Sequence, residues 1–413
     1  MTVTCPARFV FLTSIWLVFM PEAFAQSAPQ QQRASLKPAL PEQIAEDVTV
    51  DLVETLFLFD RLFTKSRTVT SADYLERVSE PSSRFYPDYL EYKRHRISKA
   101  EIVRRLPHVA MLGDSLSQNF YISSLPSMFW RARTERRKNW FLDTDSAPES
   151  ILSLYERLNT LTPLVAREYS GDGALVVPKY AAENFSRRLV RTQNLSGQAS
   201  FVLRNKRFPD LIMIWIGHNN SDWARKLSPA EREHPQTRMQ EIATQFGEDY
   251  TQAIRPLIDR AKSENHKVAF VVFGLADFQT FFICRHQAEA LHRRDPNIYP
   301  YYDLTCQRFE SFKPPYQKDT IRFSLMLNAA LRKMVANFNQ ELKDYPNVRL
   351  QYSNAFSNNR IRLEILHPKD AWHLSRTGHK VIAQTAFTAL SPSLHFLGIG
   401  SLTYTSRRSH FRQ

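Results

Sequence analysis

The sequence predicts an α/β fold in which a parallel sheet is covered by helices on both faces. Short apolar runs without charges, of which residues 211–216 are the clearest, are typical of strands that are buried on both faces. Longer segments with helical periodicity separate these runs, as in sheets built from strand–helix–strand units. The apolar run at 109–112 ends in Gly113, and polar residues follow directly. They would lie at the carboxyl edge of the sheet, where binding and catalytic sites form in open α/β folds.

Composition bounds the size of the protein and the class of its partners. The 413 residues suffice for one large domain or two ordinary ones, and 43% of them are hydrophobic and 23% charged, as in globular proteins. The formal net charge of +14 favours anionic partners such as lipid headgroups or acidic glycans, while a soluble basic surface without a dedicated partner is the alternative. Nucleic acid is not expected as a partner, because the N-terminus predicts export.

The N-terminal segment predicts a secretory signal peptide at residues 1–25. Arg8 precedes a short apolar stretch at 9–20, and a small-x-small cleavage site ends at Ala25. The stretch is short for a membrane span, although an uncleaved anchor is the alternative. We therefore expect a periplasmic or secreted protein, whose basic charge favours peripheral contact with anionic membrane surfaces.

Composition divides the remaining chain into four segments. They are a flexible leader rich in Gln, Pro, Ala and Ser (26–41), an N-terminal extension (42–106), a main domain (107–395) and a basic tail (396–413). The extension has a helical pattern at 42–63, followed by a polar, irregular stretch rich in Tyr.

Apolar runs and helical periodicity place the elements of the main domain and of the helix that leads into it. Strands are predicted at 109–112, 174–177, 189–192, 211–216, 267–274 and 348–352. Helices are predicted at 98–105, 150–166, 181–188, 229–264, 318–342 and 376–390. A long insertion at 118–170 holds a basic and aromatic cluster at 129–141, which either binds a membrane interface or a polyanion or packs its rings on the core.

The cysteines predict a disulfide. Signal cleavage removes Cys5 and leaves Cys284 and Cys306 as a pair in an oxidising compartment. Their bond would close a loop of about 20 residues, stabilise the fold by roughly 3 kcal/mol, and pin residues 275–315 as a loop over the carboxyl edge of the sheet. Two unrelated buried thiols are the alternative.

Sequence-distant residues supply the parts of a nucleophile–base–orienter triad in the order Ser, Asp, His. Ser115 follows the first buried strand of the main domain, and Asp370 and His373 lie three residues apart before the last helix. Residues three apart on one helical turn share a side, so Asp370 would orient His373 toward Ser115. Asp114 would either orient the serine turn or cap the helix after it.

An oxyanion in such a site needs hydrogen-bond donors about 3 Å away. The candidates are the amide of Ser115, the backbone N–H of Gly197 in a predicted loop, and the side-chain amide of Asn219 after the most apolar strand. Gly171 and Gly173 are alternatives to Gly197. No P-loop, Gly-x-Gly-x-x-Gly or His-Glu-x-x-His pattern is found in the sequence.

Four motifs together resemble those of the SGNH hydrolases. They are Gly113-Asp114-Ser115-Leu116 for the GDSL signature, Gly217-His218-Asn219 for the Gly-x-Asn element, Asp370-x-x-His373 for the Asp-x-x-His element and Asn194-Leu195-Ser196-Gly197 for the glycine block. The resemblance covers roughly residues 107–390. It implies a three-layer α/β/α sandwich with a parallel sheet of flavodoxin-like type, serine esterase or lipase activity, and no metal or other cofactor.

The resemblance also implies roles for single residues. Ser115 would be the nucleophile, His373 the base and Asp370 its orienter, with Ser115, Gly197 and Asn219 as oxyanion donors. The strand and Gly-x-Asn element, together with the preceding Trp215, most resemble those of the phospholipase B branch. Asn220 stands where the family often has Asp.

The substrate expected from the sequence is a lipid ester, cleaved through an acyl-enzyme on Ser115. The 12% aromatic content, the basic charge and the phospholipase-like motif favour it. An envelope carbohydrate O-acetylesterase or an acyltransferase is the alternative, for which the substrate would be an acylated glycan. A non-catalytic envelope binding protein on the same fold is an alternative of another class.

Overall fold

The structure is a computed structural model, and it describes residues 67–117, 139–143, 151–168, 194–224 and 227–399. Several predictions lie outside these residues: the signal peptide, the leader, the helix at 42–63, the strands at 174–177 and 189–192, the helix at 181–188, and nearly all of the basic tail. Gly171, Gly173 and most of the basic and aromatic cluster also lie outside. Among the described helices, none has both the length and the apolar character that crossing a bilayer requires.

Within the described residues, six strands form one sheet at the centre of the fold. Its strands are β1 (Arg67–Thr70), β2 (His108–Gly113), β3 (Val165–Glu168), β4 (Leu211–Trp215), β5 (Val268–Phe273) and β6 (Val348–Ser353). They are ordered β1-β3-β2-β4-β5-β6, and only the edge pair of β1 and β3 is antiparallel. The five strands from β2 onward, in chain order, take the positions 2-1-3-4-5 of a flavodoxin-like sheet, as predicted.

Helices cover both faces of the sheet. The described helices are α1 (Tyr74–Ser79), α2 (Tyr86–Lys93), α3 (Lys99–Arg105), α4 (Leu154–Asn159), α5 (Leu195–Leu203), α6 (Pro229–Glu233), α7 (Pro235–Ser263), α8 (Phe278–Arg294), α9 (Tyr302–Arg308), α10 (Gln317–Glu341), α11 (Arg376–Ala389) and α12 (Ser391–Leu397). Strand residues alternate between two cores: Ala110 and Leu112 pack with α5, α7 and α10, and Val109 and Met111 pack with α4, α11 and α12. The α/β/α sandwich is confirmed.

Two predictions on the N-terminal side of the sheet are wrong. The stretch after residue 66 is not irregular, because Val78 of α1 and Phe85, which directly precedes α2, are buried with Ile102 of α3 in one cluster. The helix predicted at 150–166 ends at Asn159, and β3 follows it. That strand is four residues long and two of them are charged, so it lacks the apolar run that predicts β2, β4 and β5.

The segment at 275–315 is helical, and the predicted disulfide is wrong. Cys284 and Cys306 are free thiols. The Cys284 thiol donates to the Ile361 carbonyl at 3.3 Å, whereas the Cys306 sulfur accepts from Arg285 Nη2 at 2.9 Å. Because successive residues of a helix point about 100° apart, the residue of α8 that faces Cys306 is Arg285, and Cys284 faces another neighbour.

Candidate active site

Ser115 lies in the turn directly after β2. A Cβ on Gly113 would lie 2.2 Å from Ser117 Oγ and 2.9 Å from the Trp215 carbonyl oxygen, so only glycine fits where the chain leaves the sheet. Asp114 closes the turn, because its Oδ1 accepts from the Leu116 amide at 3.0 Å. Asp114 therefore orders the serine turn, which is one of the two roles predicted for it, whereas the helix that it would cap lies outside the described residues.

Ser115, His373 and Asp370 form one hydrogen-bonded line. His373 Nε2 lies 3.2 Å from Ser115 Oγ, and His373 Nδ1 lies 2.5 Å from Asp370 Oδ2. The other oxygen of Asp370 accepts from the amides of Trp372 at 3.0 Å and His373 at 3.1 Å. The structure thus brings together the three residues that the sequence singled out, from the end of β2 and from a segment 258 positions further along the chain.

The geometry of Asp370 and His373 comes from a tight turn, not from the helical turn predicted. Helix α11 begins only at Arg376. Before it, the His367 amide donates to the His373 carbonyl at 2.7 Å, and the Ala371 amide donates to the His367 carbonyl at 3.0 Å. Ala371 has a φ of +50°, which turns the chain back so that the next two amides reach the Asp370 carboxylate.

Electrostatics favour an ionised Asp370. Burial raises the pKa of this carboxyl group, but His373, through its charge and its hydrogen bond, lowers the pKa, and so do the charge of His367 and the Trp372 amide. Together they outweigh burial, and the pKa is about 2. The carboxylate consequently holds the proton on His373 Nδ1 and leaves Nε2 to accept a proton from Ser115.

Gly197 lies in the first turn of α5 and not in the predicted loop. Amides of a first helical turn have no acceptor within the helix, so they are suited to bind an anion. The next residue, Gln198, is buried and clasps the end of β2: the Gly113 amide donates to its Oε1 at 2.9 Å, and its Nε2 donates to the Gly113 carbonyl at 2.8 Å. Sequence reasoning missed Gln198, although a polar residue directly after the glycine block was a usable signal.

Asn219 is buried in a single turn of 3₁₀-helix, His218–Ser221, directly after β4. Gly217 makes the entry to this turn possible, because its φ is +123° and a Cβ there would lie 2.5 Å from Phe246 Cε2. The Asn220 amide closes the turn by donating to the Gly217 carbonyl at 2.9 Å. Since β4 is the neighbour of β2, Asn219 and Ser115 follow adjacent strand ends.

His218 ties three strand ends together. Its Nδ1 lies 3.1 Å from Asp114 Oδ2, which also accepts from the Gly217 amide at 3.3 Å. The Ala276 amide, just after β5, donates to His218 Nε2 at 3.3 Å. The ring therefore links the turns that follow β2, β4 and β5.

The site lies at the topological switch point of the sheet, between β2 and β4, where ligands bind in open α/β folds. Within the described ranges, no three His, Cys, Asp or Glu side chains converge as metal ligands would. A serine hydroxyl, a histidine and a buried carboxylate in line at this point are the geometry of a hydrolase with a serine nucleophile.

Comparisons with known proteins place the chain in a family. The family model described as GDSL-like Lipase/Acylhydrolase matches residues 109–386, so the chain belongs to that family and is an ester-hydrolysing enzyme. A comparison with curated proteins finds no match. Among solved structures, the chain is similar to a mutant of the esterase AlinE4, at 13% sequence identity, with 70% of this chain and 97% of that chain covered and a TM-score of 0.25.

Proposed function

We propose that the protein is an exported serine esterase that hydrolyses lipid esters through an acyl-enzyme on Ser115. One observation carries the proposal: Ser115 Oγ, His373 and Asp370 are joined by hydrogen bonds of 3.2 and 2.5 Å at the switch point of the sheet. The lipid preference is supported by the net charge of +14, which attracts anionic headgroups, and by an aromatic content of 12%.

The proposed reaction is a double acyl transfer. His373 Nε2 accepts the Ser115 proton while Oγ attacks the ester carbonyl carbon, and the carbonyl electron pair moves to oxygen. The amides of Ser115 and Gly197 and the side chain of Asn219 bind that oxyanion. Its collapse breaks the bond to the alcohol, which leaves with the proton from His373. Water then attacks the acyl-enzyme, gives its proton to His373, and releases the acid as Ser115 regains its hydrogen.

The test compares p-nitrophenyl esters from acetyl to palmitoyl for the wild type, Ser115→Ala and Ser117→Ala. Ser115→Ala should lose activity by about 10³-fold or more, while Ser117→Ala, which removes a neighbouring hydroxyl, should keep it. A long-chain optimum supports the lipid proposal. An acetyl optimum, or equal rates on all chains, contradicts it, and wild-type enzyme that neither hydrolyses any ester nor is labelled by a serine-reactive phosphonate contradicts the mechanism.

Export is tested separately from catalysis. Mass spectrometry of the protein recovered from periplasm or medium should show a chain that begins at Gln26. A chain that retains residues 1–25 and is recovered with the membrane would instead support an uncleaved anchor.

A further inference from the structure

A buried arginine lies behind the Asp370–His373 turn. Arg285, on α8, is 1% exposed, and no carboxylate of the described residues lies within ion-pair distance of it. Its Nη1 donates to the Ala371 carbonyl at 3.2 Å and its Nη2 to the Cys306 sulfur at 2.9 Å. Aromatic rings surround the guanidinium, with its central carbon 4.5 Å from the centre of Tyr302 and 5.2 Å from that of Phe312.

A charge buried without a carboxylate partner is costly, and simple packing does not require it. An apolar side chain of similar length would fill the same space among the aromatic rings. The rings do favour a cation over their faces, but the two donated hydrogen bonds use the fork of the guanidinium, which only arginine provides. What Arg285 binds is therefore the informative feature.

The carbonyl that Arg285 binds belongs to a second costly feature. Ala371 is fully buried and has a φ of +50°, a conformation that residues with a Cβ rarely adopt. It lies between Asp370 and Trp372, and its conformation directs the Trp372 and His373 amides onto Asp370 Oδ1. The left-handed turn is thus part of the device that aims the carboxylate at the imidazole.

We propose that Arg285 is a positioning residue for catalysis, which holds the Ala371 carbonyl and thereby keeps the turn that aligns Asp370 with His373. The proposal rests on the catalytic roles proposed above for those two residues. The buried cation and the left-handed alanine are each unfavourable alone, and one hydrogen bond joins them. The need to hold the turn explains why a cation is buried there, and the bond to that cation explains how the alanine keeps its conformation. Cys306 and the rings of α9 and its neighbours fix the plane of the guanidinium so that its Nη1 keeps this aim.

The test is a double-mutant cycle with Ala371→Gly. Arg285→Met keeps the length of the side chain but donates nothing, and should lower kcat about 10- to 100-fold with little change in KM, because the base is misaligned. Ala371→Gly is the second single variant of the cycle, because glycine adopts the left-handed conformation without help and the turn then depends less on Arg285. The double variant should recover most of the kcat lost in Arg285→Met. Arg294→Met, on an exposed position of the same helix, is the control and should resemble the wild type.

Rates are expressed per active serine, titrated with a phosphonate, so that loss of folded protein does not count as loss of catalysis. A folded Arg285→Met with wild-type kcat, or a loss that Ala371→Gly does not reduce, overturns the proposal. If Arg285→Met does not fold, Arg285→Lys replaces it in the same cycle, because it keeps the charge and the stem but not the fork.

A spectroscopic measurement separates this proposal from the proposed function. The downfield proton resonance of His373 Nδ1–H reports its bond to Asp370 without any substrate. It should be present in the wild type and in Ala371→Gly, weaken in the Arg285 variant, and return in the double variant. An unchanged resonance in that variant overturns the role of Arg285 even where no ester is hydrolysed, whereas an inactive wild type with an unlabelled Ser115 overturns only the proposed function.

Discussion

Asp370 both holds the backbone of its own turn and orients the His373 ring. One oxygen accepts from two backbone amides and the other from His373 Nδ1. An asparagine has one acceptor oxygen, so Asp370→Asn must either abandon the amides or face Nδ1 with an NH₂ group and favour the wrong tautomer of His373.

We therefore expect Asp370→Asn to lower kcat on a p-nitrophenyl ester by about 10⁴-fold, with phosphonate labelling of Ser115 slowed in parallel. Because the pKa of Asp370 is about 2, the carboxylate stays ionised through pH 4, and activity lost above that pH has another cause. A loss below tenfold would show that the carboxylate does not orient the base.

Gly217 and Gly247 form a matched pair of glycines. A Cβ at Gly217 would clash with the Phe246 ring, and the substituted residue would have to keep a φ of +123°. A Cβ at Gly247, inside α7, would instead lie 3.6 Å from Ala330 Cβ, an ordinary van der Waals contact. Gly217→Ala should lower the free energy of unfolding by roughly 1–3 kcal/mol and reduce kcat, because Asn219 moves. Gly247→Ala should stabilise helix α7 by up to about 1 kcal/mol. Urea unfolding checks both, and equal effects would contradict the strain at Gly217.

The Gln198 side chain joins helix α5 to the end of β2 by hydrogen bonds. Gln198→Ala removes both hydrogen bonds to Gly113 and leaves a buried amide and carbonyl without these partners, at a cost of about 1–3 kcal/mol for each unsatisfied group. We expect lower thermal stability and a lower kcat, because the turn that carries Ser115 begins at Gly113. Gln240→Ala, on an exposed position of α7, is the control and should change neither. Unchanged kcat in Gln198→Ala would show that the clasp serves stability alone.

Long or charge-free elements were predictable from the sequence, and short edge elements were not. β4 and β5 are apolar throughout, so their positions follow from burial on both faces. β1 and β3 are four residues each, and charged or hydroxyl-bearing residues interrupt both, so neither presents an apolar run. Their pairing depends on partners distant in sequence, and no local pattern encodes it.

The errors around α8 and α5 have a different cause. In the sequence, Cys284 and Cys306 predict a disulfide and hence a loop, whereas the helical register brings Arg285 to Cys306 instead. The sequence predicts a loop at Gly197 because the residue follows the predicted strand at 189–192, whereas it lies in the first turn of α5, where its amide needs no helical acceptor.

The whole molecule determines how residues so far apart form one site. Parallel strands end at the same edge, and the 2-1-3-4-5 order puts the ends of β2 and β4 side by side. Ser115 and Asn219 follow those ends, and the turn with Asp370 and His373 comes between β6 and α11, which packs on the face that also holds α4. The triad was therefore predictable as a set of residues, while the turn geometry and Arg285 required the fold.

Buried neutral histidines make stability depend on pH across the molecule. Burial lowers the pKa of His108 and His367 to about 4 and that of His379 to about 3. Unfolded, each titrates near 6.5, so below that pH the unfolded chain binds protons that the folded chain does not. The free energy of unfolding is therefore not reduced by these histidines above about pH 6.5. As the pH drops toward their pKa values in the folded protein, it falls by about 1.4 kcal/mol per pH unit for each such proton.

His379 offers the cleanest test of this account, because its Nδ1 accepts from the Trp140 amide at 3.2 Å and protonation would replace that acceptor by a donor. His379→Asn places an amide oxygen in the same position and does not titrate. We expect the free energy of unfolding, measured by urea at several pH values, to fall less steeply between pH 6.5 and 4 in this variant, by about 1.4 kcal/mol per pH unit at most. At pH 7.5 the two proteins should differ only by the change in packing. Parallel curves across the whole range would show that His379 takes up its proton in the folded state, and would contradict the burial that holds its pKa down.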